Sequence, residues 1–134
     1  MGSFEARRLA GIVQSEIRLM TAECVRVGGI NLAQGICDLA VPAAVLEGAE
    51  RALRGPTNTY SKAAGIAELR HAIAAKLLRD NGIKADPESE IVVTDGVTGA
   101  YSCTLHGLLN PGDGLLLFEP YYAYHRNIAA SLEL

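Results

Sequence analysis

A β-branched run followed by a glycine turn and a helical pattern most constrains how this chain can fold. The run at residues 91–94 leads into "DGVTG", and apolar residues at helical spacing then continue through Leu105 to Leu109. After the turn "NPGD", an apolar run at residues 115–118 and a second helical pattern repeat this order. Alternating strands and helices are typical of an α/β fold with a largely parallel sheet.

The glycine turn lies beyond the carboxyl end of its predicted strand, where the ligand site of such a sheet is found. The residues alone leave two interpretations open. The turn can be a tight connection, or it can hold an anion on free backbone N–H groups at the start of the helix. It matches neither of the two nucleotide-binding fingerprints. Because "EPYY" follows the second predicted strand, the same edge would also offer aromatic side chains, which suits a planar, phosphorylated ligand.

Apolar spacing predicts three more helices before this region. They cover residues 4–27, the stretch from Pro42 to Gly55-Pro56, and the stretch from Ile66 to Asn81-Gly82. Residues 30–39 are predicted to be extended, and residues 57–65 are predicted to form a loop.

Composition excludes several classes of protein. Of the 134 residues 49% are apolar, which argues against disorder, and the net charge of −3 provides no basic surface for nucleic acid. No run reaches the roughly 18 apolar residues of a membrane span. The three cysteines are odd in number and lack C-x-x-C spacing, so reduced thiols and a cytoplasmic location are expected. No metal site is predicted, and the three histidines are expected on helix surfaces, namely His71, His106 and His125.

Several segments carry a resemblance to a known family by their order and separation. They are "NLAQGICD", "NTYSKAAGIAELRHAIA" and "TDGVTGAYSCTLHGLLNPGDGLLLFEPYYAYH". Over about residues 5–134 the chain resembles the N-terminal third of class I/II aminotransferases, which are pyridoxal-phosphate enzymes of fold type I. The resemblance implies that residues 1–41 form an N-terminal arm and small-domain segment. Residues 42–134 would then form the first, incomplete part of the three-layer α/β/α large domain, whose sheet is mainly parallel.

The resemblance gives the glycine turn a role. It implies that Gly96, Val97 and Thr98 bind the phosphate of pyridoxal 5′-phosphate through backbone N–H groups and a hydroxyl. Val97 departs from the glycine or serine that is commoner in the family, without consequence if only its N–H is used. The alternative role for Thr98 is that of a helix N-cap.

Three further positions match functional residues of the family. Tyr122 matches the aromatic residue stacked on the pyridine ring, with Tyr121 and Tyr124 as alternatives. Tyr60 matches a tyrosine that crosses a homodimer interface to the partner subunit's phosphate, and it could otherwise be an ordinary surface tyrosine. Gly35 matches a glycine whose backbone lies over the substrate carboxylate, and it could otherwise be a flexible kink.

The family's catalytic groups lie downstream of the matching segment. They are the lysine that forms a Schiff base, the aspartate at the pyridinium nitrogen and the arginine for the substrate carboxylate. None of Lys62, Lys76 or Lys84 has the right context. No catalytic residue is therefore predicted, the rest of the enzyme chain is expected to be needed, and these 134 residues alone are expected to be inactive.

Three hypotheses about function remain. The first is the N-terminal part of an aminotransferase that acts on an amino acid and a 2-oxo acid. The second is a lyase or decarboxylase on the same scaffold, and the third is a free-standing binding domain, against which the uncapped ending "SLEL" argues. In the family, later strands lie between the strands that match residues 91–94 and 115–118. We therefore expect these two not to pair with each other, and their neighbours to come from other polypeptide.

Overall fold

The computed structural model describes residues 4–56 and 59–134, and the regular structure in these ranges is helical. A 3₁₀ turn at Arg7–Leu9 precedes helices α1 (Glu16–Val27), α2 (Ala43–Arg54), α3 (Ala67–Asn81), α4 (Gly96–Leu108) and α5 (Ala123–Ser131). The chain forms two compact units. One consists of the described residues up to Ile36 with Val97–Leu134, and the other of Cys37–Gly96. In the described part of the chain, no helix has the length and apolar character to cross a membrane.

The ends of α2 and α3 confirm the sequence predictions. α2 begins directly after Pro42 and ends before Gly55. α3 ends at Asn81 because Gly82 adopts the left-handed conformation, with φ of 68°. The Gly82 N–H donates hydrogen bonds to carbonyls of the last helical turn. Glycine takes this conformation without steric cost, so the asparagine–glycine pair identified the helix end.

The first predicted helix is wrong over its N-terminal half. Residues 4–27 were expected to be helical, but α1 starts at Glu16. The Asn127 side-chain amide donates a hydrogen bond of 2.9 Å to the Val13 carbonyl, which a continuous helix would use for its own backbone. Gly11 also disfavours a helix at this point, by roughly 1 kcal/mol relative to alanine.

The other irregular segments follow the predictions in part. Residues 30–39 contain no helix or strand, but the chain bends at Ala33 and Gln34, whose backbone N–H groups donate to the Asn31 side chain, so the segment is not extended throughout. Thr57 and Asn58 of the predicted loop lie outside the described residues, and no helix forms in its remainder up to residue 65. The predicted division into residues 1–41 and 42–134 refers to the domains of a complete enzyme, and it stays a prediction.

The two predicted strands are not found among the described residues. Residues 91–94 and 115–118 have no regular secondary structure, because a strand requires a neighbouring strand to complete its hydrogen-bond ladder. Exposure nevertheless alternates along residues 115–118. Leu116 and Phe118 are 81% and 84% exposed, while Leu115 and Leu117 are half-buried. This period of two is that of a strand, and the sheet itself stays a prediction.

Within the Cys37–Gly96 unit, a buried arginine joins α3 to the turn at residues 86–89. Arg70 of α3 is only 2% exposed, and its guanidinium donates hydrogen bonds to the Pro87 carbonyl and, at 3.1 Å, to Glu88 Oε2. Asp86 organises the same turn by accepting from the Ser89 hydroxyl and the Glu88 N–H. These two hydrogen bonds, the serine bond first, hold the pKa of Asp86 below its ordinary value.

A glycine contact fixes the loop before α3 in this unit. Gly65 has φ of +97°, and a Cβ added there would lie 2.7 Å from the Cβ of Val93. The Val93 N–H donates a 3.0 Å hydrogen bond to the Ala64 carbonyl. Residues 64–65 therefore lie directly against the segment that leads into the glycine turn.

Candidate functional site

The glycine turn leaves backbone donors free at the start of α4. Gly96 begins the helix in the left-handed conformation, with φ of +67°, and the Thr94 hydroxyl donates to its carbonyl at 3.0 Å. The N–H groups of Val97 and Thr98 have no hydrogen-bond acceptor among the described residues. Thr98 is the third residue of α4, so it does not occupy the N-cap position. The turn thus offers two unpaired donors at the positive end of a helix dipole.

A hollow of about 230 Å³ brings two of the predicted site residues together. Gly35 and Tyr122, which are distant in the sequence, both line it. The remaining lining residues are Ser15, Ile17, Arg18, Ala33, Gln34 and Tyr124. All belong to the unit that contains α1, α4 and α5.

Gly35 is not required by the packing of this chain. A Cβ built there meets no atom within 4 Å, and Gly35 is not among the glycines with positive φ. A side chain would therefore extend into open space beside the hollow. The absence of one leaves the backbone accessible to a bound molecule.

Tyr122 belongs to an aromatic cluster at the start of α5. Its ring contacts Tyr124 edge-on at 4.9 Å and His125 edge-on at 5.8 Å, measured between centroids. His125 in turn stacks at 4.5 Å on Tyr101 of α4. Such edge-on pairs are favourable aromatic geometry, so they orient the Tyr122 ring.

The prediction for the histidines is correct for two of the three. His71 and His106 are exposed on helices, but His125 is half-buried between two tyrosine rings. Helical spacing did not reveal this, because the contact with Tyr101 joins two different helices.

A second hollow, of about 380 Å³, shares Tyr122 with the first. It is lined by residues 13–17 and by residues at and before the start of α5, and it contains Arg126 but not Gly35. Tyr121 also lines this second hollow and not the first. The two alternatives to Tyr122 therefore differ, since Tyr124 borders the Gly35 hollow and Tyr121 does not.

Sequence reasoning missed Arg18. Its Nε donates a 3.1 Å hydrogen bond to the Tyr124 hydroxyl, across 106 residues of sequence. In the sequence, Arg18 lies on the polar, solvent-facing side of a predicted helix, and no local pattern distinguishes it from other surface arginines. Only the three-dimensional contact with the aromatic cluster could reveal it.

Tyr60 lies in the other unit and is fully exposed. Its hydroxyl has no hydrogen-bond partner among the described residues, and its assigned role stays a prediction. In the same described ranges, no group of three or more His, Cys, Asp or Glu side chains is placed to bind a metal ion.

Comparison with known sequences gives a consistent result. The family model described as aminotransferase class I and II matches residues 27–133. The chain is 40% identical over 111 residues to a probable N-succinyldiaminopimelate aminotransferase, DapC, of Mycobacterium tuberculosis, and the match covers 83% of the chain but 28% of the relative. It is 37% identical over 93 residues to the aspartate/prephenate aminotransferase of Thermus thermophilus, covering 69% of the chain and 24% of that protein.

Solved structures match over nearly the whole chain. The N-succinyldiaminopimelate aminotransferase of Mycobacterium tuberculosis superposes with a TM-score of 0.88 at 36% identity, covering 96% of this chain and 34% of that one. A methionine aminotransferase from Escherichia coli gives a TM-score of 0.88 at 28% identity, covering 98% and 35%. The chain thus has the fold of about one third of these proteins.

Proposed function

We propose, since the chain belongs to the aminotransferase class I and II family, that it forms the N-terminal part of a pyridoxal-phosphate enzyme. This enzyme would transfer an amino group between an amino acid and a 2-oxo acid. The observation that carries the proposal is the hollow in which Gly35 and Tyr122 meet. The named relatives reported above are aminotransferases, which favours this reaction over a lyase or decarboxylase reaction on the same scaffold.

The residues of the glycine turn fit the cofactor phosphate. The unpaired N–H groups of Val97 and Thr98 would donate to phosphate oxygens, and a Cβ built at Gly96 meets nothing within 4 Å, so the approach is open. Anions bind well at such a helix start. When bound, the pyridoxal ring withdraws electrons from the substrate carbon and so stabilises the charge that develops there.

The hollow would hold the ring and the substrate. Tyr122, oriented by its two edge-on neighbours, would provide a flat wall against the pyridine ring. The open backbone at Gly35 would contact the substrate carboxylate. Together they would fix the orientation of the reacting carbon, which is the main contribution that protein groups make in a cofactor enzyme.

Other polypeptide would complete the enzyme. Val92, Leu116 and Phe118 are 66%, 81% and 84% exposed, so residues 91–94 and 115–118 have apolar faces that adjoining strands of a mainly parallel sheet would cover. The same polypeptide would supply the catalytic lysine, the aspartate and the carboxylate-binding arginine. These exposed faces argue against a free-standing binding domain.

We further propose a homodimer in the cytoplasm. The full exposure of Tyr60 leaves its hydroxyl accessible to the phosphate of a partner subunit. The cysteines Cys24, Cys37 and Cys103 are all unpaired, which supports a reducing compartment.

The experiment uses the protein expressed from its complete gene. We expect it to bind pyridoxal 5′-phosphate and to form a 2-oxo acid from an amino acid. Val97→Pro removes one N–H at a position where the first turn of a helix tolerates proline, whereas Val97→Ala keeps that N–H. We expect the proline variant alone to lose about tenfold in cofactor affinity, since a hydrogen bond to a charged group is lost.

Two results would contradict the proposal. One is release of carbon dioxide without amino transfer by the cofactor-loaded protein, which would indicate a decarboxylase. The other is equal cofactor affinity of the Val97→Pro and Val97→Ala variants, which would show that the glycine turn does not bind the phosphate through the Val97 N–H.

A further inference from the structure

The hollow that contains Gly35 and Tyr122 has one charged side chain among the described residues that line it. That side chain is Arg18, which lies on α1 between apolar and aromatic neighbours such as Ile17 and Tyr124. A molecule in the hollow would therefore meet a cation on one side and largely neutral surfaces elsewhere.

Arg18 is anchored at one nitrogen and free at the others. Its Nε donates to the Tyr124 hydroxyl at 3.1 Å, while its terminal nitrogens have no acceptor among residues 4–56 and 59–134. By contrast, Arg26 pairs with Glu23 and Arg79 with Asp80. A guanidinium fixed at Nε presents its two remaining nitrogens as a planar fork that matches a carboxylate.

This arrangement would discriminate between substrate side chains. If the α-carboxylate contacts Gly35, an apolar substrate side chain in the hollow would strip water from Arg18 without replacing its hydrogen bonds. A side chain that ends in a carboxylate would supply them. Specificity would then come from a favourable pair for one substrate and an unpaired charge for the other.

We propose that Arg18 binds the distal carboxylate of an acidic amino acid or 2-oxo acid, so that the substrates of this site are dicarboxylates. Tyr124 is the positioning residue, because its hydroxyl holds the Arg18 guanidinium at the hollow. This assignment rests on the function proposed above.

Arg126 provides a matched control. It is exposed and lies near Tyr122, but it lines the second hollow, which does not contain Gly35. Arg126→Met removes the same positive charge as Arg18→Met, but from a residue that does not line the Gly35 hollow. A purely long-range effect of positive charge would therefore appear equally in both arginine variants.

The test measures binding of two unreactive probes to the complete, cofactor-loaded protein by titration calorimetry. Glutarate carries two carboxylates, and pentanoate is a monocarboxylate of the same length. We expect Arg18→Met to weaken glutarate binding about 10- to 100-fold, as for loss of a charged hydrogen-bonded pair. Pentanoate binding should stay unchanged or improve. Arg126→Met should change neither.

Two additional variants separate charge from position. Arg18→Lys should retain part of the glutarate affinity, and Tyr124→Phe should lose less than Arg18→Met because the guanidinium remains. The ratio of kcat/KM for glutamate to that for norvaline should fall in the same order. Equal losses for both probes in Arg18→Met, or equal losses of glutarate affinity in Arg18→Met and Arg126→Met, would overturn the assignment.

The failure of this assignment differs from failure of the proposed function. If amino transfer occurs but Arg18→Met does not discriminate between glutarate and pentanoate, the role of Arg18 alone is refuted. If the loaded protein transfers no amino group from any amino acid, the proposed function itself is refuted.

Discussion

Two glycines show how differently the two units use the same residue. In the Cys37–Gly96 unit, Gly65 has φ of +97° and lies so close to Val93 that an added Cβ would be only 2.7 Å away. In the other unit, Gly35 has nothing within 4 Å of that position. The first glycine is required by the chain's own packing, whereas the second leaves space that the chain does not fill. Gly35 is the candidate for ligand contact because it also lines the hollow with Tyr122.

Two arginines repeat this contrast. Arg70 is 2% exposed, and Pro87 and Glu88 accept hydrogen bonds from it. Arg18 is exposed and bonded only to the Tyr124 hydroxyl among the described residues. A buried cation must be paired by the fold, so Arg70 is committed to structure. Arg18 keeps donors available for another molecule.

The largest effect is expected from Gly65→Ala. The new methyl group meets Val93 and also forces a left-handed conformation on alanine, so the complete protein should lose roughly 2–4 kcal/mol of unfolding free energy. Urea unfolding measures this loss. Gly48→Ala inside α2, where only the end of the Arg51 side chain is near, should instead stabilise by about 0.5–1 kcal/mol. An unchanged stability of Gly65→Ala would show that the close contact with Val93 does not require glycine at this position.

Gly35→Ala should separate stability from binding. We expect an unchanged unfolding midpoint, because the methyl group meets no atom of this chain. Substrate affinity of the complete enzyme should fall about tenfold, since the backbone can no longer be approached closely. Binding of a substrate analogue and urea unfolding are both measured on the same preparation. Destabilisation without a binding defect would make Gly35 a structural glycine like Gly65.

Tyr122→Ala tests the aromatic wall with a smaller expected effect. Loss of stacking should weaken retention of the cofactor by about 1 kcal/mol and perturb its absorption spectrum. Tyr121→Ala is the matched control, because Tyr121 lines only the hollow without Gly35. If Tyr121→Ala produced the larger change, the stacking role would belong to Tyr121.

The smallest effect concerns the exposed carboxylate of Asp86. Its pKa is lowered in the folded protein by the Ser89 hydroxyl and the Glu88 N–H, so its contribution to stability is present above the unfolded pKa. That contribution is lost as the pH falls through the pKa of Asp86 in the folded protein, which lies below the ordinary value of about 4. Asp86→Asn should therefore reduce the acid-side slope of unfolding free energy against pH. An identical slope in both proteins would show that the Asp86 carboxylate does not contribute to the pH dependence of stability.

The sequence predicted features that local residues determine. The end of α3 was visible because Asn81-Gly82 is a left-handed helix stop, and the start of α4 because a glycine turn follows a β-branched run. The start of α1 was misplaced because the spacing of Leu9, Ile12 and Val13 mimics a helix.

Features that join distant residues were outside the reach of pattern reasoning. The Val13 carbonyl accepts a hydrogen bond from the Asn127 side chain, 114 residues away in the sequence. The Tyr124 hydroxyl accepts one from Arg18, 106 residues away. A ladder likewise depends on a neighbouring strand and not on local propensity, which is why residues 91–94 form none here. The family resemblance identified Gly35 and Tyr122, but only the coordinates brought them into one hollow.

The aromatic cluster gives this chain an optical reporter of its own. The sequence contains no tryptophan and five tyrosines, and Tyr101, Tyr122 and Tyr124 lie within the cluster around His125. Tyr60, in contrast, is fully exposed. Near-ultraviolet circular dichroism arises from aromatic rings held in fixed, asymmetric packing. The tyrosine dichroism of this segment should therefore report whether the wall of the hollow is ordered, before any ligand is added.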